Sequence, residues 1–282
     1  MNLILFIFIS FGITQAAFSQ SLSSFKNSAF SHERVLESRH NRAFQVIDYD
    51  EMRDVNGRDE IPVKRALPSR VELLPENYYI KTRIAGVSTH QAGAINSASF
   101  AVIFIHGAGG NKDLGFDDWT FSGNFNRLKN LTVRNKGVYL SPTARLNSSG
   151  ANAIGRMIKR LHHQNSQMKI VLSCGSAGGL VCWTLAKSSE YSKLLSGLVF
   201  LGTAVNMPEE NIPYIDDQKP IIFAHGSKDS VLPWQHLKQS FDEIRASYQN
   251  YPIKYFLYNG GIHGTPIRTI DWREGLNWIF KH

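Results

Sequence analysis

The sequence predicts an α/β fold: a mostly parallel sheet with helices on both faces. Three observations predict it. Apolar, β-branched runs recur at Ala101–Ile105, Ile170–Leu172, Leu198–Leu201 and Ile221–Ala224. They are continuous rather than alternating, the pattern of strands buried on both faces. Between such runs the apolar spacing turns helical, most clearly at Ile154, Met157, Ile158 and Leu161. Strand and helix then alternate along the chain, as stacked βα units require. At 282 residues the chain is long enough to bury one substantial core.

The elements follow in order. Leu3 to Ile13 is an apolar stretch, followed by Ala17 and Ser19 at the two positions a signal peptidase reads. We expect a signal peptide over residues 1–19, cleaved after Ser19, and a secreted or periplasmic protein. The apolar stretch is too short for a comfortable membrane span, so no stable span is expected. Residues 20–75 are polar and weakly periodic, with serines from Ser21 to Ser28 and acids at Asp48, Asp50, Glu51 and Asp54. They read as an N-terminal extension that is flexible or wraps the domain. The domain proper is expected over 76–282, opening with a strand around Tyr78 to Ile84. Strands are predicted at Val138–Leu140 and Lys254–Tyr258, a helix from Trp234 to about Tyr248, and one closing helix from Ile267 to Ile279. Between Leu201 and Ile221 the connection is short, which leaves a minimal or absent lid.

Chemistry concentrates where strands end. Ile170-Val171-Leu172 runs into Cys174-Gly175-Ser176-Ala177-Gly178, and a helix leaves through Leu180 to Trp183. A strand–turn–helix junction this sharp needs small residues two before and two after its apex, here Cys174 and Gly178. Ser176 at the apex takes a strained conformation that lifts its hydroxyl above the sheet. Cys174 as the apex would place bulky Leu172 at the minus-two position, and Ser173 still lies within the strand. Ser176 is therefore the candidate nucleophile.

Ala101–Ile105 ends in His106-Gly107-Ala108-Gly109-Gly110. Acyl transfer builds a tetrahedral oxyanion that needs backbone N–H donors close to the reacting carbon, and glycines permit that approach. The amides of Ala108 and Ala177 are the expected oxyanion donors, with His106 anchoring the loop. A nucleotide loop is a poor fit, because Lys112 is followed by Asp113 rather than by Ser or Thr. After the strand Ile221–Ala224, Asp229 sits where a carboxylate can orient a histidine. After Lys254–Tyr258, the loop Gly260-Gly261-Ile262-His263-Gly264 supplies that histidine. The order Ser176, Asp229, His263 is the one expected for α/β sheets carrying a serine nucleophile, each residue just past a strand. Phe116 to Trp119 form one wall of the site or serve ordinary packing and capping.

These segments resemble the α/β-hydrolase superfamily of serine esterase and lipase type, from about Tyr78 to His282. The resemblance is carried by His106 to Gly110, Cys174 to Gly178, Asp229 and His263, and by the acid loop with Gly226 before Asp229 and Val231 to Pro233 after it. The departure is Cys174, where glycine is usual. The expected activity is hydrolysis of carboxylic esters through an acyl-enzyme, with no cofactor and no metal. A small-molecule, lipid or polymer ester is the expected substrate. The motifs do not read the leaving group, so peptidase or amidase chemistry with the same residues remains open, as does an idle, ligand-binding form.

Composition narrows the partners. The net charge of +8 is dispersed, with no dense Lys/Arg run and no aromatic–basic interleaving, so no nucleic-acid partner is expected. His162 and His163 are adjacent on a helix and face different ways, which makes no metal pair. The two cysteines, Cys174 and Cys182, read as small buried residues rather than a bridge, since bridging them should distort the turn. Asn130-Leu131-Thr132 and Asn147-Ser148-Ser149 are glycosylation sequons, relevant only in a eukaryotic secretory pathway.

Overall fold

The computed structural model describes residues 21–32, 34–54, 70–204 and 211–282. The expected signal segment 1–19 lies outside the described residues. The described strands are β1 (Val35–Arg39), β2 (Phe44–Asp48), β3 (Tyr79–Ile84), β4 (Val87–Ala92), β5 (Phe100–Ile105), β6 (Gly137–Pro142), β7 (Lys169–Gly175), β8 (Gly197–Leu201), β9 (Ile221–Gly226) and β10 (Ile253–Asn259). They pair into one sheet in the order β1-β2-β10-β9-β8-β7-β5-β6-β4-β3. The run from β2 to β6 is parallel, while β1 and the β4–β3 end pair antiparallel.

The continuous apolar runs follow from burial on both faces. In β5, Ala101, Ile103 and Ile105 enter one core and Phe100, Val102 and Phe104 the other. On the first face lie α3 (Ser148–Gln164), α4 (Gly179–Ala186) and α6 (Trp234–Ser247), through Ile154, Met157, Val181, Leu185, Leu237 and Phe241. The second face is covered by α2 (Asn124–Arg134), α7 (Thr265–Thr269) and α8 (Trp272–Lys281), through Phe125, Leu128, Ile267, Trp272 and Leu276. Two short helices, α1 (Glu51–Asp54) and α5 (Pro213–Asp216), are also present among the described residues. The α5 turn occupies the short connection between β8 and β9.

One expectation needs correction. The closing helix is broken: α7 and α8 are separated at Ile270-Asp271, where Asp271 leaves helical geometry and its carboxylate accepts from the N–H groups of Arg273 (3.0 Å) and Glu274 (3.3 Å). An aspartate capping the second helix outweighs the apolar period that runs across both. Of the two readings of the extension, its described part follows the second and packs on the domain. Phe44 to Asp48 pairs in parallel with Tyr255 to Asn259, so β2 and β1 extend the sheet beyond β10. Leu22, Phe25 and Ile47 join the second core and Phe44 joins the first. Arg127, fully buried on α2, fixes this segment by donating to the Phe25 carbonyl (3.2 Å) while pairing with Asp271 (3.0 Å).

Candidate active site

Parallel strands β7, β8, β9 and β10 lie side by side, so the loops that follow them open on one edge. Ser176 follows β7, Asp229 follows β9 and His263 follows β10. The structure brings all three together. His263 Nε2 is 2.9 Å from Ser176 Oγ, and Nδ1 is 2.7 Å from Asp229 Oδ2. A carboxylate only accepts, so the imidazole proton facing it sits on Nδ1, and Nε2 is left to accept from the serine hydroxyl.

Each of the three is held by its own loop. Ser176 has φ of 50°, in the left-handed region that non-glycine residues avoid. The turn survives because its neighbours are small. A Cβ on Gly178 would stand 2.5 Å from the His106 carbonyl oxygen, and one on Gly107 would stand 2.9 Å from Ser176 Cβ. The loop after β5 therefore lies directly against Ser176, and Ala108 and Ala177 are both exposed. His106 fixes that loop: its Nδ1 donates to the Gly107 carbonyl (2.8 Å) and its Nε2 accepts from the Ala144 amide (3.2 Å). Asp229 has a fully buried side chain, and its Oδ1 accepts from the amides of Val231 and Leu232, each at 2.9 Å. Both carboxylate oxygens are thus engaged, and Oδ2 is aimed at His263.

Two features were not read from the sequence. His225, one residue before the end of β9, is fully buried, with Nδ1 donating to the Gly226 carbonyl (3.2 Å) and lying 3.6 Å from Asp229 Oδ2. Burial pushes its pKa below the ordinary value, so it stays neutral and leaves the carboxylate charge to His263. A histidine ending an apolar strand four residues before a candidate acid was the available signal. The second is a correction: Cys174 and Cys182 form a disulfide. The bridge was expected to distort the turn, but one turn of α4 returns the chain so that the Cα atoms lie 6.4 Å apart, within the bridging range. Phe116 to Trp119 serve packing and capping. Phe116 packs on Tyr79, His90 and Tyr139, Asp118 pairs with buried Lys129 (2.7 Å), and Asp117 accepts from the amides of Trp119 and Thr120.

Comparison with solved structures decides the architecture. A thermostable esterase superposes with a TM-score of 0.57 at 17% identity, covering 73% of this chain and 63% of that one. The Pyrococcus furiosus esterase Pf2001 gives 0.54 at 13% identity, with 74% and 94% covered. MGS-M1, an α/β hydrolase from a Medee basin deep-sea metagenome library, gives 0.51 at 15% identity, with 72% and 96% covered. The chain has the α/β-hydrolase fold. In this hydrolase fold the parallel strands from β5 to β10 carry the candidate site, and β1 and β2 are added at the β10 edge. No family model matches the chain. In sequence, a 94-residue stretch is 26% identical to the protein named "Putative esterase YitV" of Bacillus subtilis (strain 168), covering 26% of this chain and 37% of that protein. The match therefore spans little more than a third of that relative's length.

Proposed function

We propose that the protein is an exported serine hydrolase of carboxylic esters. The observation that carries this is the hydrogen-bonded line from Asp229 through His263 to Ser176. His263 Nε2 takes the Ser176 proton as Oγ bonds to the ester carbonyl carbon, and the amides of Ala108 and Ala177 hold the oxyanion. Asp229 fixes the tautomer and stabilises the imidazolium. The imidazolium returns its proton to the departing alkoxide, which leaves as the alcohol. In the second half His263 deprotonates a water that attacks the acyl-enzyme, releasing the acid and restoring Ser176. No cofactor and no metal enter this scheme.

Export is supported by the apolar stretch Leu3 to Ile13 and by the Cys174–Cys182 disulfide, which persists in oxidising compartments. Among the described residues, no helix is long and apolar enough to cross a membrane.

The test is labelling of mature protein with a fluorophosphonate probe and mass mapping of the adduct. An adduct on Ser176 that His263→Ala abolishes, with ester turnover lost in parallel, supports the proposal. A folded protein that takes no adduct and hydrolyses no ester overturns it. Turnover of anilides with no turnover of esters would assign the same residues to amide chemistry.

A further inference from the structure

A cavity of about 160 Å³ lies between the N-terminal extension and the domain. Phe30 and His32 of the extension, Ile47 of β2, Arg70, Tyr258 of β10 and Thr269 of α7 line it. Ser176, Asp229 and His263 do not, so the cavity is separate from the candidate active site. One water needs about 10–15 Å³ of such space, so a molecule of several non-hydrogen atoms fits.

The charges around the cavity do not balance. Arg34, Arg53 and Arg70 line it together with Asp48 and Asp54. Arg53 takes both acids: Nη1 donates to Asp48 Oδ2 (2.9 Å), while Nε and Nη2 donate to Asp54 Oδ1 (2.9 Å) and Oδ2 (2.7 Å). Arg34, largely exposed, adds a second contact to Asp48 at 3.7 Å. Arg70 is left without a carboxylate among the described residues. It is only 8% exposed, its guanidinium carbon stands 5.2 Å from the centre of the Phe30 ring, and its Nη1 has no hydrogen-bond partner among the described residues. Burial lowers its pKa, with Asp54 and Tyr49 opposing.

A buried guanidinium is costly unless an acceptor meets it, and buried polar groups without partners are rare enough to call for an explanation. A second such group lines the same cavity. His32 Nε2 donates to the Thr269 carbonyl (3.3 Å) and lies 2.9 Å from Tyr258 Oη, which leaves Nδ1 as an acceptor with no partner. A cationic donor, a neutral acceptor and the apolar Phe30 and Ile47 are complementary to an oxyanion, a hydroxyl and a short carbon body.

We propose that this cavity binds a small hydroxycarboxylate, its carboxylate on Arg70 and its hydroxyl donating to His32 Nδ1. The planar guanidinium fork suits a carboxylate, and Phe30 and Ile47 cover the carbon body. Inorganic phosphate offers an oxyanion and a hydroxyl but no carbon for that apolar wall. The site does not depend on the chemistry of Ser176.

Titration calorimetry of the mature protein with lactate, propionate and inorganic phosphate, at neutral pH and constant ionic strength, tests the proposal. Lactate should bind saturably at one site, and propionate about threefold to tenfold more weakly for want of the hydroxyl. Arg70→Met should weaken lactate binding roughly 10- to 100-fold, the worth of a hydrogen bond to a charged group. Methionine keeps an apolar stem against Phe30 and removes an unpaired buried cation, so unliganded Arg70→Met should melt at or above the wild-type temperature. Arg70→Lys keeps the charge and loses the fork, and its lactate affinity should fall between the two.

No saturable lactate binding overturns the inference, as does an unchanged affinity in Arg70→Met, which would put the ligand elsewhere. Phosphate binding without lactate binding, or propionate binding as tightly as lactate, overturns the ligand class. An unliganded Arg70→Met protein that melts several degrees lower, or fails to fold, would show that Arg70 already has its partner and overturns the site.

Discussion

Replacing Gly178 by alanine tests the tie between the serine turn and the loop after β5. Gly178 has φ of −60° and ψ of −22°, ordinary helical values that alanine accepts, so the backbone itself is not strained by the change. The new Cβ, however, would lie 2.5 Å from the His106 carbonyl oxygen and 2.8 Å from that of Ile105. Both are backbone atoms at the end of β5 and cannot swing away as a side chain would. Restoring ordinary contact requires the turn and the end of β5 to separate by roughly 0.9 Å, the difference between 2.5 and 3.4 Å. Overpacking of this kind costs about 1–3 kcal/mol of stability. The activity loss should be larger, because Ser176 rides on one side of the contact and the Gly107-Ala108 loop on the other. A displacement near 1 Å between nucleophile and oxyanion donors costs on the order of 100-fold in rate. Urea unfolding and kcat/KM on a p-nitrophenyl ester read the two effects separately. A Gly178→Ala protein with an unchanged urea midpoint and kcat/KM within threefold of wild type would refute the packing argument.

Three further outcomes are expected. Arg127→Met should destabilise by about 3–5 kcal/mol in urea, because it removes the cation buried against Asp271 and the donor to the Phe25 carbonyl; a loss below about 1 kcal/mol would contradict the buried pairing. Burial lowers the pKa values of His225 and His32, so below the ordinary value of 6.5 the unfolded chain binds protons that the folded chain refuses. Stability should accordingly fall as pH drops from 7 to 5, and His225→Gln should shallow that fall in calorimetry; a slope identical to wild type would remove His225 from the account. Reducing the Cys174–Cys182 bridge, which spans a sequence separation of eight, should cost roughly 2.5 kcal/mol by loop entropy, seen as a lower melting temperature in reductant with no change in a Cys174→Ala/Cys182→Ala control.

The parts of the fold legible in the sequence are those whose burial is apolar. Strands β5, β7, β8 and β9 are buried on both faces and filled with Ile, Val, Leu and Phe, so their pattern announces them. The candidate site was legible for a related reason. Ser176, Asp229 and His263 each stand directly after such a strand, and neighbouring parallel strands deliver their loops to one edge. The separation of α7 from α8 was less visible, because Ile267, Ile270, Leu276 and Ile279 all enter one core and keep the apolar period across the break at Asp271.

Much of what stayed hidden rests on the burial of polar groups through specific partners. Helix α2 reads Asn-Phe-Asn-Arg-Leu-Lys-Asn-Leu-Thr-Val-Arg, a sequence that a rule of charges outside assigns to a solvated surface. Yet Arg127 and Lys129 are fully buried, because Asp271 and Asp118 await them from distant loops. Strand β4 contains His90 and Gln91, buried because Asp113 meets the imidazole at 2.6 Å and the Gly93 carbonyl accepts from the amide at 2.8 Å. The Phe44–Asp48 strand is short and meets the sheet only through β10, more than 200 residues later. For Arg127, for His90 and for the Phe44–Asp48 strand the partner lies outside the local window, and burying a polar group without its partner is costly. His225 differs: Asp229 is only four residues on, and the closing of the loop after β9 brings the two within 3.6 Å. Local pattern therefore finds strands, and the residues that tie strands into a site become visible only once their partners are placed.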